Sequence, residues 1–187
     1  MHSWHDVAKA RITPDSFLAL IEISKGTKNK YELDKETGHL ILDRVLFTST
    51  HYPQNYGFIP RTYARDYDPL DVLVLCSEPI LPMCFVQCKP IGVLIMTDGG
   101  LPDEKIIAVA ENDPFYNVYN DISKLPDHIM AEIKHFFEVY KTLEGKATAV
   151  GEFFNAKTAR QIIIDSMEAY NEKIEPKILE QRKKLYK

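Results

Sequence analysis

No apolar run in this 187-residue chain approaches the roughly 18–20 residues of a membrane-spanning helix. The opening Met1-His2-Ser3-Trp4-His5-Asp6 also lacks the apolar core of a secretory signal. The expectation is a cytoplasmic protein without a membrane partner. A basic excess is missing too: 23 Lys+Arg stand against 27 Asp+Glu, a formal net charge of −4. That excludes the usual electrostatic footprint of a nucleic-acid binder. Cysteine is scarce, and Cys76, Cys84 and Cys88 cannot all pair internally in a chain large enough to need no staple. Cys84 and Cys88 are four apart with no second pair, which argues against a zinc site. Only 8 glycines are present, and none builds a Walker loop or other Gly-rich phosphate cradle. No repeat, low-complexity tract or Gly/Ser linker divides the chain. With 45% hydrophobic and 27% charged residues, it reads as one ordered domain over 1–187. Residues 1–15 form an N-terminal arm and about 171–187 a C-terminal helical tail.

What is present is, first, a run of strand signals. Phe17–Ile23 is rich in strand formers without clean alternation. Tyr31–Asp34 and His39–Phe47 flank Lys35-Glu36-Thr37-Gly38, a short Gly-ending connection typical of a hairpin. Further strands are expected at Val72–Cys76, Phe85–Leu94 and Ile106–Ala110. Then the period changes. Ile129, Met130, Ile133, Phe136, Phe137 and Tyr140 recur at three- and four-residue intervals, one face of a helix starting near Pro126. Asn155 is placed to cap a second helix bearing Ile162, Ile163, Met167, Tyr170 and Ile174. Its basic tail, Gln181–Lys187, suits a helix C-terminus and reads as a fraying, solvated end. The predicted architecture is α+β and mainly β, a small closed barrel carrying two main helices.

The chemistry lies in carboxylates. Asp66, Asp68 and Asp71 fall within six residues, just before an apolar strand. Pro69 makes a regular strand improbable there, so a turn could gather all three. Crowded carboxylates repel and are best tolerated around a cation; taken alone, a solvated acidic turn fits equally well. The EF-hand pattern does not fit, since Asp71 and Ser77 stand at its sixth and twelfth positions. Asp98, Asp103 and Glu104 follow on what reads as a Gly/Pro loop, with Lys105 beside them. Glu22 lies within an apolar run, costly unless paired or wet, and Glu32 comes two residues after Lys30. Hard oxygen ligands without a neighbouring His or Cys indicate Mg²⁺, with Mn²⁺ a possible substitute. His51, His128 and His135 have no visible partner, and His2 and His5 lie on an arm expected to be mobile. Trp4, the lone tryptophan, could anchor that arm to the barrel or to a neighbouring chain. Lys30, Arg44, Lys105, Lys141, Tyr52, Tyr56 and Tyr140 each have a bland reading as surface charge or core-edge aromatic. Together with several cations they suit a compact polyanion such as a phosphate compound.

At this point the residues resemble a family. Tyr52-Pro53-Gln54-Asn55-Tyr56-Gly57-Phe58-Ile59-Pro60, followed by Asp66-Tyr67-Asp68-Pro69-Leu70-Asp71-Val72-Leu73-Val74, is similar to the signature of family I soluble inorganic pyrophosphatases. The likeness extends from about Phe17 to Tyr170, through Ile21-Glu22-Ile23, Lys30-Tyr31-Glu32, Asp43-Arg44, Asp98…Asp103-Glu104-Lys105 and Phe136–Lys141. It implies an OB-like five-stranded closed barrel and Mg²⁺-dependent hydrolysis of pyrophosphate. By the same resemblance Asp66, Asp71, Asp98 and Asp103 hold Mg²⁺, with Glu22 and Glu32 helping, partly through water. Asp68 is the implied general base beside a water bridged by two metals. Lys30, Arg44, Lys105, Tyr140 and Lys141 hold pyrophosphate oxygens, and the Tyr56 phenol acts at the same site. Asp68, Tyr56, Arg44 and Lys30 thus make the implied catalytic set, and a cytoplasmic homo-oligomer the implied assembly.

One residue departs from the family pattern. Tyr67 stands where Gly, Asn, Asp or Ser, residues tolerant of left-handed backbone, are usual. Three other readings compete with pyrophosphate hydrolysis. A nucleotide or short polyphosphate substrate lacks a base-stacking aromatic cluster in the acidic segments. An OB-type single-strand binder would need a basic groove. A scaffold with a dead site is opposed by the presence of every implied ligand and base.

Overall fold

The computed structural model describes residues 2–146 and 148–185. Its strands are β1 (Phe17–Ile23), β2 (Asn29–Leu33), β3 (Leu40–Val45), β4 (Asn55–Phe58), β5 (Asp71–Leu75), β6 (Phe85–Asp98), β7 (Leu101–Ala110) and β8 (Thr148–Asn155). The helices are α1 (Asp127–Val139), α2 (Ala156–Lys173) and α3 (Glu175–Leu185). Strands β1-β4-β5-β7-β6 pair in that order, and β6 returns to β1, closing a ring of five. The expected five-stranded closure is present. It is possible because β6 is 14 residues long: its first residues, 85–88, pair with β1 and its later ones with β8. The β2–β3 hairpin forms a separate two-stranded sheet.

Alternation explains how the ring is packed. Along β5, Val72 and Val74 join one buried cluster with Ala159 and Ile163 of α2. Leu73 and Leu75 point the other way, into a cluster with Ile133, Phe136 and Phe137 of α1. Strand β7 divides likewise, Ile106 and Ala108 against Ile107 and Val109. A strand covered on both faces reads as a continuous apolar run, which is why Phe17–Ile23, buried throughout, shows no clean alternation. Each fully buried large aliphatic or aromatic side chain contributes about 1.5–3 kcal/mol. The helices begin as the caps predict: Pro126 precedes α1, and the Asn155 side chain accepts from the Thr158 amide at 3.0 Å.

Four expectations change. Residues 98–105 are mostly strand: only Gly99 and Gly100 turn, at φ 57° and 85°, as a tight hairpin connection requires. Two strands carry no strong signal in the sequence, β4 and β8. In β4, Gly57 is required, because a Cβ there would lie 1.8 Å from the Leu20 carbonyl oxygen of β1. The final helix breaks at Ile174, and its continuation α3 is helical to Leu185; Tyr186 and Lys187 of the basic tail lie outside the described residues. Finally, His2–Asp6 are packed. Trp4 is 5% exposed, clusters with Leu20, Leu33, Phe58 and Tyr170, and so anchors the arm to its own barrel.

Candidate active site

A cleft of about 230 Å³ opens between the β2–β3 hairpin, one end of the ring and the end of α1. Its walls carry Glu22, Lys30, Glu32, Tyr56, Asp66, Asp68, Asp71, Asp98, Asp103, Lys105, Tyr140 and Lys141. Every residue to which the resemblance gives a role is therefore on this cleft except Arg44; of the other candidates, Tyr52 packs on Phe136 at a centroid distance of 4.7 Å and Glu104 faces Arg65. Arg44, on β3, pairs with Asp43 and donates from Nε to Glu144 at 2.8 Å, beside the cleft and not on its wall.

Register brings the central groups together. Strands β5 and β7 are parallel, with Asp71 opposite Lys105. The Lys105 ammonium bonds the carboxylates of Asp71 and Asp103, each at 2.5 Å, and the Tyr56 hydroxyl at 3.1 Å. Tyr56 in turn donates to Asp71 Oδ2 at 2.6 Å. Asp103 and Lys105 share a face because they are two apart on a strand. The loop 59–70 then returns Asp66 to this group. One carboxylate oxygen each from Asp66, Asp71 and Asp103 lie within 4.8 Å of one another, the spacing at which a cation can be shared. Asp68 does not join them: it turns to the cleft mouth and pairs with Lys35. The turn predicted to gather all three gathers Asp66 and Asp71 alone.

The remaining acids are each held. The Glu22 carboxylate, buried on β1, accepts from the Leu33 amide at 2.7 Å. Glu32 pairs with Lys30, which also reaches Asp43 at 3.0 Å. Asp98, at the end of β6, pairs with Lys141. Tyr140 caps α1 and packs its ring, tilted, against Phe136 at a centroid distance of 5.2 Å.

The electrostatics fit a crowded acidic site. Burial first, then the charges of Asp71 and Glu32, push Glu22 up to about 8. Burial, with Asp71 and Asp103 nearby, raises Asp66 to about 6. Burial also raises Asp103, although Lys105 pulls it back. Burial opposes the charge of Lys105, but Asp71 and Asp103 outweigh it and hold the ammonium strongly protonated. Burial lifts the Tyr56 and Tyr140 phenols far above the ordinary range, so both act as neutral donors.

Tyr67 keeps the left-handed backbone, at φ 73°, with its side chain in solvent. The strain of about 1–2 kcal/mol expected for a side chain there sits between Asp66 and Asp68. Sequence reasoning missed Lys35 and Trp4 on the cleft wall, and Glu144 as the partner of Arg44. Lys35 belongs to a hairpin turn and carries no signal of its own.

Comparison with known proteins identifies the family. The inorganic pyrophosphatase family profile matches residues 19–171. Soluble inorganic pyrophosphatase 2 of Chlamydomonas reinhardtii is 49% identical over 178 residues, 95% of this chain and 93% of that protein. Soluble inorganic pyrophosphatase 4 of Arabidopsis thaliana is 52% identical over 169 residues, 90% of this chain and 78% of that one. The crystal structure of the inorganic pyrophosphatase from Thermus thermophilus superposes with a TM-score of 0.83 at 39% identity, covering 88% of this chain and 94% of that one. With the ring, the acidic cleft and these likenesses in hand, the chain belongs to the family of soluble inorganic pyrophosphatases.

Proposed function

We propose that the cleft hydrolyses inorganic pyrophosphate to two orthophosphates with Mg²⁺ as the resident ion and Mn²⁺ as a substitute. The observation that carries the reading is the convergence of Asp66, Asp71 and Asp103 oxygens within 4.8 Å, inside a cleft that also carries four lysines and the Tyr56 and Tyr140 phenols. The donor set is all carboxylate, the hard-oxygen chemistry that suits Mg²⁺ and disfavours zinc. Asp66, Asp71 and Asp103 would hold the first ion, with Asp98, Glu22 and Glu32 completing the acidic wall. Bound Mg²⁺ supplies Lewis acidity and lowers the pKa of water it holds.

The chain's own groups do the rest. Asp68, outside the carboxylate group, accepts the proton of the attacking water. That water adds in line to one phosphorus, the bridging P–O bond breaks, and the second phosphate leaves. Lys30, Lys105 and Lys141 bind the phosphoryl oxygens, with Arg44 at the margin. Tyr56 and Tyr140 donate as neutral phenols to oxygens on which charge accumulates. No covalent enzyme intermediate is required. The family resemblance further supports a cytoplasmic homo-oligomer.

The test is phosphate release from pyrophosphate with Mg²⁺, with and without chelator, on the native chain and Asp68→Asn. Chelator-sensitive release that drops at least about a hundredfold in the variant is expected. No release from the native chain under Mg²⁺ or Mn²⁺ removes the reading. Equal release from both keeps the reaction and takes the base from Asp68.

A further inference from the structure

Residues 2–6 form a closed knot at the edge of the cleft. The amides of His5 and Asp6 donate to the His2 carbonyl at 3.1 and 2.9 Å, and the His2 amide donates to the Asp6 carboxylate at 2.6 Å. The His5 ring is sandwiched between the His2 imidazole and the Trp4 indole, each at a centroid distance of 4.5 Å. His5 Nδ1 also bonds the Tyr170 hydroxyl at 2.8 Å. The knot is therefore tied to α2 on one side.

On its other side, two polar threads run to the catalytic turn. Trp4 Nε1 donates to the Thr62 carbonyl at 2.9 Å. The Thr62 hydroxyl donates to the Ile59 carbonyl at 2.6 Å and accepts from the Leu70 amide at 2.8 Å, so the two ends of the loop bearing Asp66 and Asp68 are clamped together. The second thread starts at His2. Its Nδ1 accepts from the Trp4 amide at 3.3 Å, which leaves Nε2 to donate to the Lys35 carbonyl at 2.9 Å. Lys35 then pairs with Asp68.

We propose that Lys35, held by the His2–Asp6 knot, is the positioning residue for Asp68. The reason lies in the composition of the cleft. Asp68 sits two residues from Asp66 and three from Asp71, on a turn that brings both of those into the carboxylate group. A cation arriving at that group attracts Asp68 as a further ligand, and a carboxylate committed to a metal is a poor proton acceptor. Lys35 supplies the competing charge on the solvent side. It keeps Asp68 at the mouth, where an attacking water can reach it, and the bond from His2 fixes the backbone from which Lys35 extends. The inference rests on the reading of Asp68 as the base.

The two side chains are about half exposed, 52% and 51%. Exposed pairs add little to stability, so a positioning role and a stabilising role separate experimentally. Lys35→Ala, Lys35→Arg, Trp4→Phe and Asp68→Asn are compared in kcat, KM for pyrophosphate, the Mg²⁺ concentration at half-maximal rate, and Tm. The expected result for Lys35→Ala is a kcat lower by about tenfold, inside the roughly hundredfold loss that a misplacement of about 1 Å can cause. Its KM stays within twofold, its Mg²⁺ requirement does not rise, and its Tm does not move. Lys35→Arg restores the rate to within threefold. Trp4→Phe, which keeps a ring but loses the buried donor to Thr62, lowers kcat by a smaller factor and lowers Tm as well; a native kcat in it overturns the part given to the knot.

A native kcat in Lys35→Ala beside an inactive Asp68→Asn overturns the positioning role and leaves the base in place. A raised KM with unchanged kcat makes Lys35 a substrate ligand and also overturns it. Loss of Tm in step with activity, or no rescue by Arg, reduces Lys35 to a structural contact. A fully active Asp68→Asn removes the base reading and the positioning role together.

Discussion

Replacing Glu22 with Gln keeps an acceptor for the Leu33 amide, now bonded at 2.7 Å, and removes a charge that the surroundings resist. Burial and the nearby Asp71 and Glu32 raise this carboxyl from 4.5 to about 8. In the unfolded chain it ionises near 4.5; in the folded, metal-free protein it stays protonated until about pH 8. Its contribution to stability is thus fully present below pH 4.5 and is lost as pH climbs toward 8. At about 1.36 kcal/mol per tenfold, the loss from this one group reaches about 5 kcal/mol. Asp66, raised to about 6, tilts stability the same way in both proteins and cancels in the comparison. The buried amide of Gln adds an offset, but that offset does not depend on pH.

The assay is urea unfolding in excess chelator at pH values from 4.5 to 8.5. The stability of Glu22→Gln relative to native should rise across that range by several kcal/mol, with unchanged m. Saturating Mg²⁺ should reverse the ranking at pH 8, because the native carboxylate gains a cation and the amide does not. Parallel pH curves for the two proteins in chelator would refute the argument, since they would mean that Glu22 ionises in the folded state as easily as in water.

Two further outcomes follow from backbone geometry. Tyr67→Gly removes left-handed strain of about 1–2 kcal/mol against a Gly entropy cost of roughly 0.5–1 kcal/mol. With the ring 65% exposed, calorimetry should show a small net stabilisation and the rate should stay within about twofold; a lower Tm contradicts the strain. Gly57→Ala places a Cβ 1.8 Å from the Leu20 carbonyl oxygen, so the β1–β4 pairing must open. A loss of more than about 3 kcal/mol is expected, and near-native stability in denaturant would show that the two strands can part without cost.

The fold was legible where local signals agreed with tertiary demands. The Asn155 cap, the apolar stripe from Ile129 to Tyr140 and the Lys35–Gly38 turn each act through neighbours in sequence, so their patterns survive in one dimension. Strand β8 was not legible, because Thr148–Asn155 is held by pairing to β6 and is only partly buried. The acidic hairpin was misread for a related reason: Asp98, Asp103 and Glu104 are poor strand formers, and the ladder between β6 and β7 overrides that preference. At the site, residue types announced the chemistry, and the structure gathers twelve of the thirteen expected residues on one cleft. What the chain order could not convey was partnership. Nothing near Asp68 in sequence points to Lys35, 33 positions away, and nothing near Arg44 points to Glu144, 100 positions away.

Partnership also explains why an acidic cleft can serve an anionic substrate. Its walls hold seven carboxylates against four lysines, and each lysine is already committed: Lys30 to Glu32 and Asp43, Lys35 to Asp68, Lys105 to Asp71 and Asp103, Lys141 to Asp98. Pyrophosphate entering such a cleft alone would meet neutralised ammonium groups and a surplus of negative charge, which opposes its binding. Divalent ions change both conditions. On the proposed reading they would neutralise Asp66, Asp71 and Asp103, and in taking those oxygens would free Lys105 to donate elsewhere, just as an ion on Asp98 would free Lys141. The cations would therefore prepare the protein's own donors as well as the reacting water. On that reading ions would bind before substrate, and the crowded carboxylates and the lysines would be parts of one device.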